Sequence, residues 1–329
     1  MTELERKINN LVEDYQENLI LAKSIGFPEA AYEGTTATAE DIAIGKTAYS
    51  NGKFITGTSE NINNNALLVP GTALNNMLKV ITQLDLSGMT STAYLFKDCN
   101  RLESLPNLNT ATVTNMSNMF NNCASLKQVP EMNTSNVTNM EYLFATCKSL
   151  QTIPNLNLSN VTNMNGIFYN CEGLTYIPDL NTANGITMSR MFFGCKNLKK
   201  VPNIDTSKAT SIGMMFQGCE SITSIPLLNT STVVGFSSLC ENCFNLVNVP
   251  ILDTSSATGA NMQMMFDGCY KLSNESLNNI LAMCIAAVQI TNAKYKTLKY
   301  IGLTSAQATI CTTLPNYQAF LDAGWTTGY

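Results

Sequence analysis

Eleven cysteines are the side chains of this sequence best suited to chemistry, because thiols can form disulfides, bind zinc or act as nucleophiles. Cys240 and Cys243 have the C-x-x-C spacing of redox and zinc sites, but no second pair supplies the remaining ligands. The sequence contains no histidine, which removes the commonest general base and the commonest zinc ligand. We therefore expect no metal, no cofactor and no enzymatic activity.

The spacing of the cysteines indicates a structural repeat. Seven of them recur at intervals of 24 residues, namely Cys99, Cys123, Cys147, Cys171, Cys195, Cys219 and Cys243. Stacked coils about 4.8 Å apart would bring neighbouring cysteines within disulfide range. One cysteine at a fixed inward position of every coil favours instead buried free thiols that act as small apolar fillers.

A second set of potential ligands places an asparagine or aspartate in every coil. Its members are Asn109, Asn133, Asn157, Asn181, Asp205, Asn229 and Asp253. Calcium sites need several carboxylates, whereas most of these side chains are neutral amides. We expect this set to form hydrogen bonds within turns.

The elements that position these residues share the 24-residue period of the phenylalanines, which are Phe96, Phe120, Phe144, Phe168, Phe192 and Phe216. In one coil, Leu126 and Val129 predict a short strand that ends at Pro130. Residues 137–144 then have the spacing of one helix face. Stacking is needed to bury these apolar faces. The predicted fold is an α/β solenoid, a leucine-rich-repeat-like right-handed coil of strand-turn-helix repeats over residues 75–272.

Four further segments flank the predicted solenoid. Residues 1–28 predict a helix, and 33–60 a small hairpin module for attachment, in which Thr47–Ser50 and Lys53–Thr56 flank the turn Asn51-Gly52. Residues 61–74 read as a linker, and 273–329 as a helical cap. Within the cap we expect a helix over 276–288, a capping box from Thr304 to Gln307, and a last helix capped by Asn316.

The N-terminal helix could oligomerise the chain. Its apolar positions follow coiled-coil spacing and begin with Leu4, Ile8, Leu11 and Tyr15. A homo-oligomer is expected, with a trimer favoured. The alternative is an amphipathic helix that packs on its own chain.

Two variable positions lie just before the buried Val or Ile of each coil and should point outward from the strand. The residues expected to contact a ligand are Gln128, Thr152, Tyr176, Lys199, Lys200 and Asn248. These positions vary while their buried neighbours do not, which favours a concave recognition face. The alternative is ordinary solvated surface.

Composition and termini limit the partners. A net charge of −5 without a basic cluster argues against nucleic acid. No run of about 20 apolar residues is present, so we expect no membrane insertion. The first residues, MTELERKINN, lack the apolar core of a signal peptide.

The repeat pattern Phe-x-x-Cys-x-x-Leu-x-x-Ile/Val-Pro-x-Leu-Asn-Thr-Ser-x-Val-Thr-x-Met resembles the BspA-like leucine-rich repeats, and among them the subgroup of mycoplasma-type surface lipoproteins. Residues 36–58, and the ending from Leu298 to Tyr329, resemble segments of tail and fibre proteins from phages of Gram-positive hosts. The lipoproteins carry a signal and a lipidated cysteine, which this sequence lacks.

These resemblances imply a phage tail, baseplate or receptor-binding protein, located in the virion tail. Its partners would be other tail or baseplate proteins and a bacterial cell-surface glycan or protein. The alternative is a BspA-like adhesin on the bacterial surface. A cell-wall hydrolase accessory is a weaker alternative, because no catalytic carboxylate pair stands out.

Overall fold

The computed structural model describes residues 84, 86 and 88–329, together with the backbone of two short strands nearer the N-terminus. Strand β1 (Thr47–Ser50) pairs antiparallel with strand β2 (Lys53–Thr56). The predicted hairpin is therefore confirmed. The helix predicted over 1–28 lies outside the described residues.

Consecutive 24-residue coils lie directly on one another and are joined by backbone hydrogen bonds. Thr138 donates its N–H to the carbonyl of Thr114 at 2.9 Å, and Met116 donates to Asn139 at 2.9 Å. These two bonds enclose a parallel bridge between Asn115 and Asn139. The full series of bridges is Ser91–Asn115, Asn115–Asn139, Asn139–Asn163, Asn163–Thr187, Thr187–Ser211 and Ser211–Gly235. Equivalent side chains therefore lie in columns along the stack.

Tight turns replace the helix that the periodicity predicts in each coil. Leu143 donates its N–H to the carbonyl of Met140, three residues back, whereas Phe144 donates to Ile167 in the next coil at 2.9 Å. Tyr142 has a φ of 52°, and a second left-handed residue follows four positions later. An α-helix needs an uninterrupted right-handed backbone. The helix prediction for the repeats was therefore wrong.

The predicted strand before the proline is also largely missing. Around the prolines of the described coils, only the isolated bridges Leu108–Met132 and Ser224–Asn248 form. Proline has no N–H and recurs in every coil, so it prevents a continuous ladder at this edge. The inter-coil ladder lies instead on the Val-Thr-Asn-Met part of the coil. The strand-turn-helix description of the repeat is corrected accordingly.

Columns of apolar side chains fill the interior of the stack. The buried rings of neighbouring phenylalanines are 5.3 to 5.9 Å apart between centroids and within 12° of parallel. This stack comprises Phe96, Phe120, Phe144, Phe168, Phe192 and Phe216. Columns of cysteine, leucine, valine or isoleucine, and methionine are buried beside it, as their periodicity predicts. Each such side chain contributes about 1.5–3 kcal/mol when fully buried.

The C-terminal cap is helical. Following a 3-10 helix at Gly259–Met262, it contains helix α1 (Asn274–Ala286), a 3-10 helix (Ala293–Tyr295), helix α2 (Ser305–Cys311) and helix α3 (Tyr317–Asp322). Met264 and Phe266 donate their N–H groups to Tyr300 and Ile301 at 2.9 Å each. The cap thus accepts the bonds that a further coil would accept. None of the described helices is long and apolar enough to cross a membrane.

The helices of the cap agree with the sequence in part. Helix α1 begins and ends two residues before the helix expected over 276–288, and the capping box of Thr304 and Gln307 is present at α2. Asn316 precedes α3 but makes no side-chain cap bond. Its amide donates instead to the carbonyl of Asn278 at 3.2 Å, which ties α3 to α1.

Candidate recognition face

The six residues predicted to contact a ligand are all exposed, and we call them the candidate recognition face: Gln128, Thr152, Tyr176, Lys199, Lys200 and Asn248. Their exposure follows from the local pattern, because Leu198 and Val201 are buried on either side of two outward residues. Lys199 donates its N–H to the carbonyl of Thr175 at 3.2 Å. Neighbouring coils are thereby joined beneath the face.

Tyr176 and the two lysines dominate the middle of this face. The side chain of Tyr176 is 62% exposed, so it offers a large apolar ring with a polar tip. Lys199 and Lys200 form no ion pair with a residue in the described part of the chain. Their ammonium groups are therefore available to a ligand.

A shallow depression of 440 Å³ borders the face and is lined by two aspartates. The backbone N–H of Asn203 donates to Asp179 at 2.9 Å and lowers the pKa of that carboxyl, and nearby Lys200 lowers it further. The N–H of Ser207 donates to Asp205 at 2.8 Å and lowers its pKa. Both carboxylates stay ionised at neutral pH, so negative charge lies beside the lysines.

Two apolar residues near the face were missed from sequence. Leu227 is 74% exposed and Ile251 is 54% exposed, and both directly follow the proline of their coils. The other exposed members of this column are polar: Asn107, Glu131, Asn155, Asp179 and Asn203. Comparing equivalent positions of successive coils would have revealed the change.

The cysteines are structural. All eleven are free and buried, and Cys171 donates its thiol hydrogen to the carbonyl of Phe144 in the preceding coil at 3.0 Å. The same bond recurs at Cys123, Cys147, Cys195, Cys219 and Cys243. Burial raises the pKa of Cys147 and of Cys195 to about 12. These thiols remain protonated at neutral pH and are poor nucleophiles.

The C-x-x-C pair has the same character. Burial raises the pKa of Cys240 and of Cys243, so neither is a thiolate near neutral pH. Zinc ligands are thiolates. Within the described residues, no group of three or more His, Cys, Asp or Glu side chains could hold a metal ion.

The asparagine and aspartate column forms turns, as predicted. Each side-chain oxygen accepts the backbone N–H two residues further on, at 2.8 to 3.5 Å. The acceptors are Asn109, Asn133, Asn157, Asn181, Asp205, Asn229 and Asp253. The pKa of Asp253 is lowered by its bonds to the hydroxyl and N–H of Ser255. These hydrogen bonds fix the turn between the proline and the Val-Thr-Asn-Met segment of each coil.

The residues predicted to oligomerise the chain, Leu4, Ile8, Leu11 and Tyr15, lie outside the described residues, as does the linker over 61–74. Both assignments stay predictions.

A family model described as "Mycoplasma protein of unknown function, DUF285" matches the chain twice in tandem, over residues 71–178 and 173–280. The two matches cover more than half of the chain, which therefore belongs to this mycoplasma-type repeat family. They coincide with the predicted repeat region. Comparisons with curated proteins and with solved structures found no match.

Proposed function

We propose that this chain is a non-enzymatic structural protein of a phage tail or baseplate that presents the candidate recognition face to a bacterial cell-surface glycan or protein. In this proposal the stacked coils form a right-handed solenoid of leucine-rich-repeat type. Residues 1–28 join chains into a trimer, and the hairpin module of residues 33–60 attaches them to other virion proteins.

The observation that carries the proposal is a contrast between two columns. The phenylalanine column keeps one residue type through six coils and is buried. The column of Tyr176 contains six residue types in seven coils: Ser104, Gln128, Thr152, Tyr176, Lys200, Ser224 and Asn248. Packing fixes the first column, whereas packing places almost no demand on the second. Its side chains are free to match a ligand.

The chemistry of the face suits a hydroxylated and charged ligand. Tyr176 can pack against a sugar or an apolar side chain, and interfaces often place an exposed tyrosine at their centre. Lys199 and Lys200 provide positive charge for phosphate or carboxylate groups, and Gln128 and Asn248 provide amides for hydroxyl groups.

Binding of the purified full-length chain to purified cell walls from a panel of Gram-positive bacteria tests the proposal. We expect Tyr176→Ala and Lys200→Glu each to weaken binding about tenfold, or about 1.4 kcal/mol. Ile186→Thr is the matched control, because it changes an exposed residue of another column to the threonine found at positions 162 and 210.

The control variant should bind like the unchanged protein. Undiminished binding by both Tyr176→Ala and Lys200→Glu would contradict the proposed face. Absence of binding to every wall preparation would contradict the proposed function itself.

A further inference from the structure

Three half-buried aromatic rings form a cluster at positions of the repeat other than those of the candidate recognition face. Tyr169 and Phe193 stack with centroids 4.5 Å apart and planes 9° from parallel. Tyr142 meets Tyr169 edge-on, at 5.8 Å and 77°. A Cβ atom at Gly166 would overlap the ring of Tyr142, so the glycine provides the space in which that ring lies. We call Tyr142, Tyr169 and Phe193 the aromatic cluster.

The repeat shows that the fold does not need these rings. Tyr169 and Phe193 belong to the column that follows each core phenylalanine or its equivalent. The other members are polar, charged or small: Lys97, Asn121, Ala145, Gln217, Glu241 and Asp267. The coils with these residues stack through the same hydrogen bonds, such as Asn122 to Ala145 at 2.7 Å. Two adjacent coils therefore depart from the pattern for a reason other than packing.

Polar groups without partners adjoin the cluster. Phe193 donates its N–H to the carbonyl of Arg190, so both side chains arise from one turn. The guanidinium of Arg190 has no ion pair or hydrogen bond with the described residues. The Oε1 atom of Gln217, in the coil after Phe193, and the Oδ1 atom of Asn165, next to Gly166, are buried acceptors that likewise find no donor in the described chain. Buried acceptors normally have a partner.

We propose that the aromatic cluster is a second binding site, and that its ligand is an acidic glycan. A sugar has C–H faces, which pack against aromatic rings, and hydroxyl groups, which hydrogen-bond to the phenol groups of tyrosines. The Arg190 guanidinium can bind a carboxylate or phosphate group in two-pronged geometry. This combination of rings, phenol groups and one cation favours an acidic sugar over an apolar peptide. The site does not rest on the function proposed for the recognition face.

The repeat itself supplies substitutions that should preserve the fold. Tyr169→Ala introduces the residue found at Ala145, Phe193→Gln the residue at Gln217, and Arg190→Met the residue at Met214, each from the same column. Ile186→Thr, which changes an exposed residue outside both proposed sites, is the control. Thermal unfolding of each variant checks that the coils remain stacked.

The experiment measures binding of the full-length chain to an array of bacterial oligosaccharides that includes uronate-containing, phosphate-containing and neutral members. We expect Tyr169→Ala and Phe193→Gln each to weaken binding at least tenfold, and Arg190→Met to remove the preference for acidic over neutral members. Ile186→Thr should retain the binding of the unchanged chain.

Three outcomes would overturn the proposal. They are absence of binding to every oligosaccharide, undiminished binding by both ring variants, and equal loss in the Ile186→Thr control. Concentration-dependent self-association that the ring variants abolish would assign the cluster to a contact between copies of the chain instead. Separate variants probe the aromatic cluster and the recognition face. Failure of this proposal can therefore be distinguished from failure of the function proposed for the recognition face.

Discussion

The repeat and the C-terminal cap form the hydrogen bonds of their backbone N–H and carbonyl groups in different ways. In the repeat, Phe168 donates its N–H to the carbonyl of Met191 in the next coil at 3.0 Å. In the cap, the hydrogen bonds of α1 run within the helix, beginning with Leu277 to Ser273 at 2.9 Å. A coil therefore depends on its neighbour, whereas a cap helix forms most of its bonds alone.

The comparison explains why the two regions use different side chains. Nine of the eleven cysteines lie in the repeat, and two, Cys284 and Cys311, lie in the cap. A buried thiol donates to a carbonyl that also accepts a backbone N–H within its own turn: Cys195 donates to Phe168 at 3.1 Å, and the N–H of Cys171 donates to the same carbonyl at 3.1 Å. Two helices of the cap, α1 and α2, begin with hydroxyl caps from Ser273 and Thr304. The repeat therefore contains more buried thiols, which can lose a proton at alkaline pH, than the cap does.

The largest expected effect is a loss of stability at alkaline pH, centred on the repeat. An unfolded thiol has a pKa of about 8.5, whereas burial raises the pKa of Cys99, Cys147 and Cys195 to about 12. The folded state therefore holds the proton more tightly. Stability is complete below about pH 8.5 and falls as the pH rises toward 12, by about 1.4 kcal/mol per pH unit for each thiol.

Urea unfolding at pH 8, 9 and 10 measures this loss, and at that slope nine thiols would amount to roughly 13 kcal/mol per pH unit, which is comparable with the whole stability of a domain. The double variant Cys147→Ala, Cys195→Ala should reduce the slope by about 3 kcal/mol per pH unit, because two thiols no longer titrate. A free energy of unfolding that is constant to pH 10 would contradict the burial of the thiols.

A substitution where the two regions meet should have the next largest effect. Gly302 has a φ of +93°, and a Cβ atom there would lie 2.6 Å from the Cα of Asp267 in the last coil. Gly302→Ala should separate the cap from the stack and cost about 3 kcal/mol, from backbone strain and overpacking together. Thermal unfolding, followed by the fluorescence of the single tryptophan Trp325 in the cap, measures it.

Gly88→Ala is the matched control. Gly88 has a similar φ of +80°, but among the described residues, its chain neighbours aside, no atom lies within 4 Å of its Cβ position. It should cost only the backbone strain, about 1 kcal/mol. Equal losses in the two variants would show that the cap is not held by close packing on Asp267.

Periodicity predicted which side chains are buried, but not the backbone that buries them. The columns of Phe144 and Cys147, and the turns at Asn133, followed from the 24-residue spacing alone. A spacing of three and four residues is shared by a helix and by successive turns of three residues, so it could not distinguish them. The helix prediction failed for that reason.

A sequence signal for the turns was present in another column. The second residue after each core phenylalanine or its equivalent has a positive φ throughout the repeat, and glycine, asparagine and aspartate predominate there. The members are Asp98, Asn122, Thr146, Asn170, Gly194, Gly218, Asn242 and Gly268. These residue types tolerate the left-handed region best. Their recurrence at this position was evidence against a helix in each coil.

The candidate binding residues could be predicted from the sequence to the same extent as the fold. Outward positions such as Tyr176 followed from the period, whereas Leu227 and the aromatic cluster are departures of single coils from their columns. Such departures are visible only once equivalent residues are known to stack.

The smallest predicted effect is a gain in stability within the repeat. Thr146 is the only β-branched residue in the left-handed column and has a φ of +61°. Thr146→Gly should relieve strain of about 1–2 kcal/mol, against an entropic cost of about 0.5–1 kcal/mol, so we expect a net gain of about 1 kcal/mol or less. Thr146→Ala keeps the Cβ atom and should give no such gain. The urea midpoints of both variants measure the effect. If the alanine variant gained as much stability as the glycine variant, the gain would come from loss of the hydroxyl and methyl groups. The left-handed backbone would then not be the source of strain that distinguishes the coils from the cap helices.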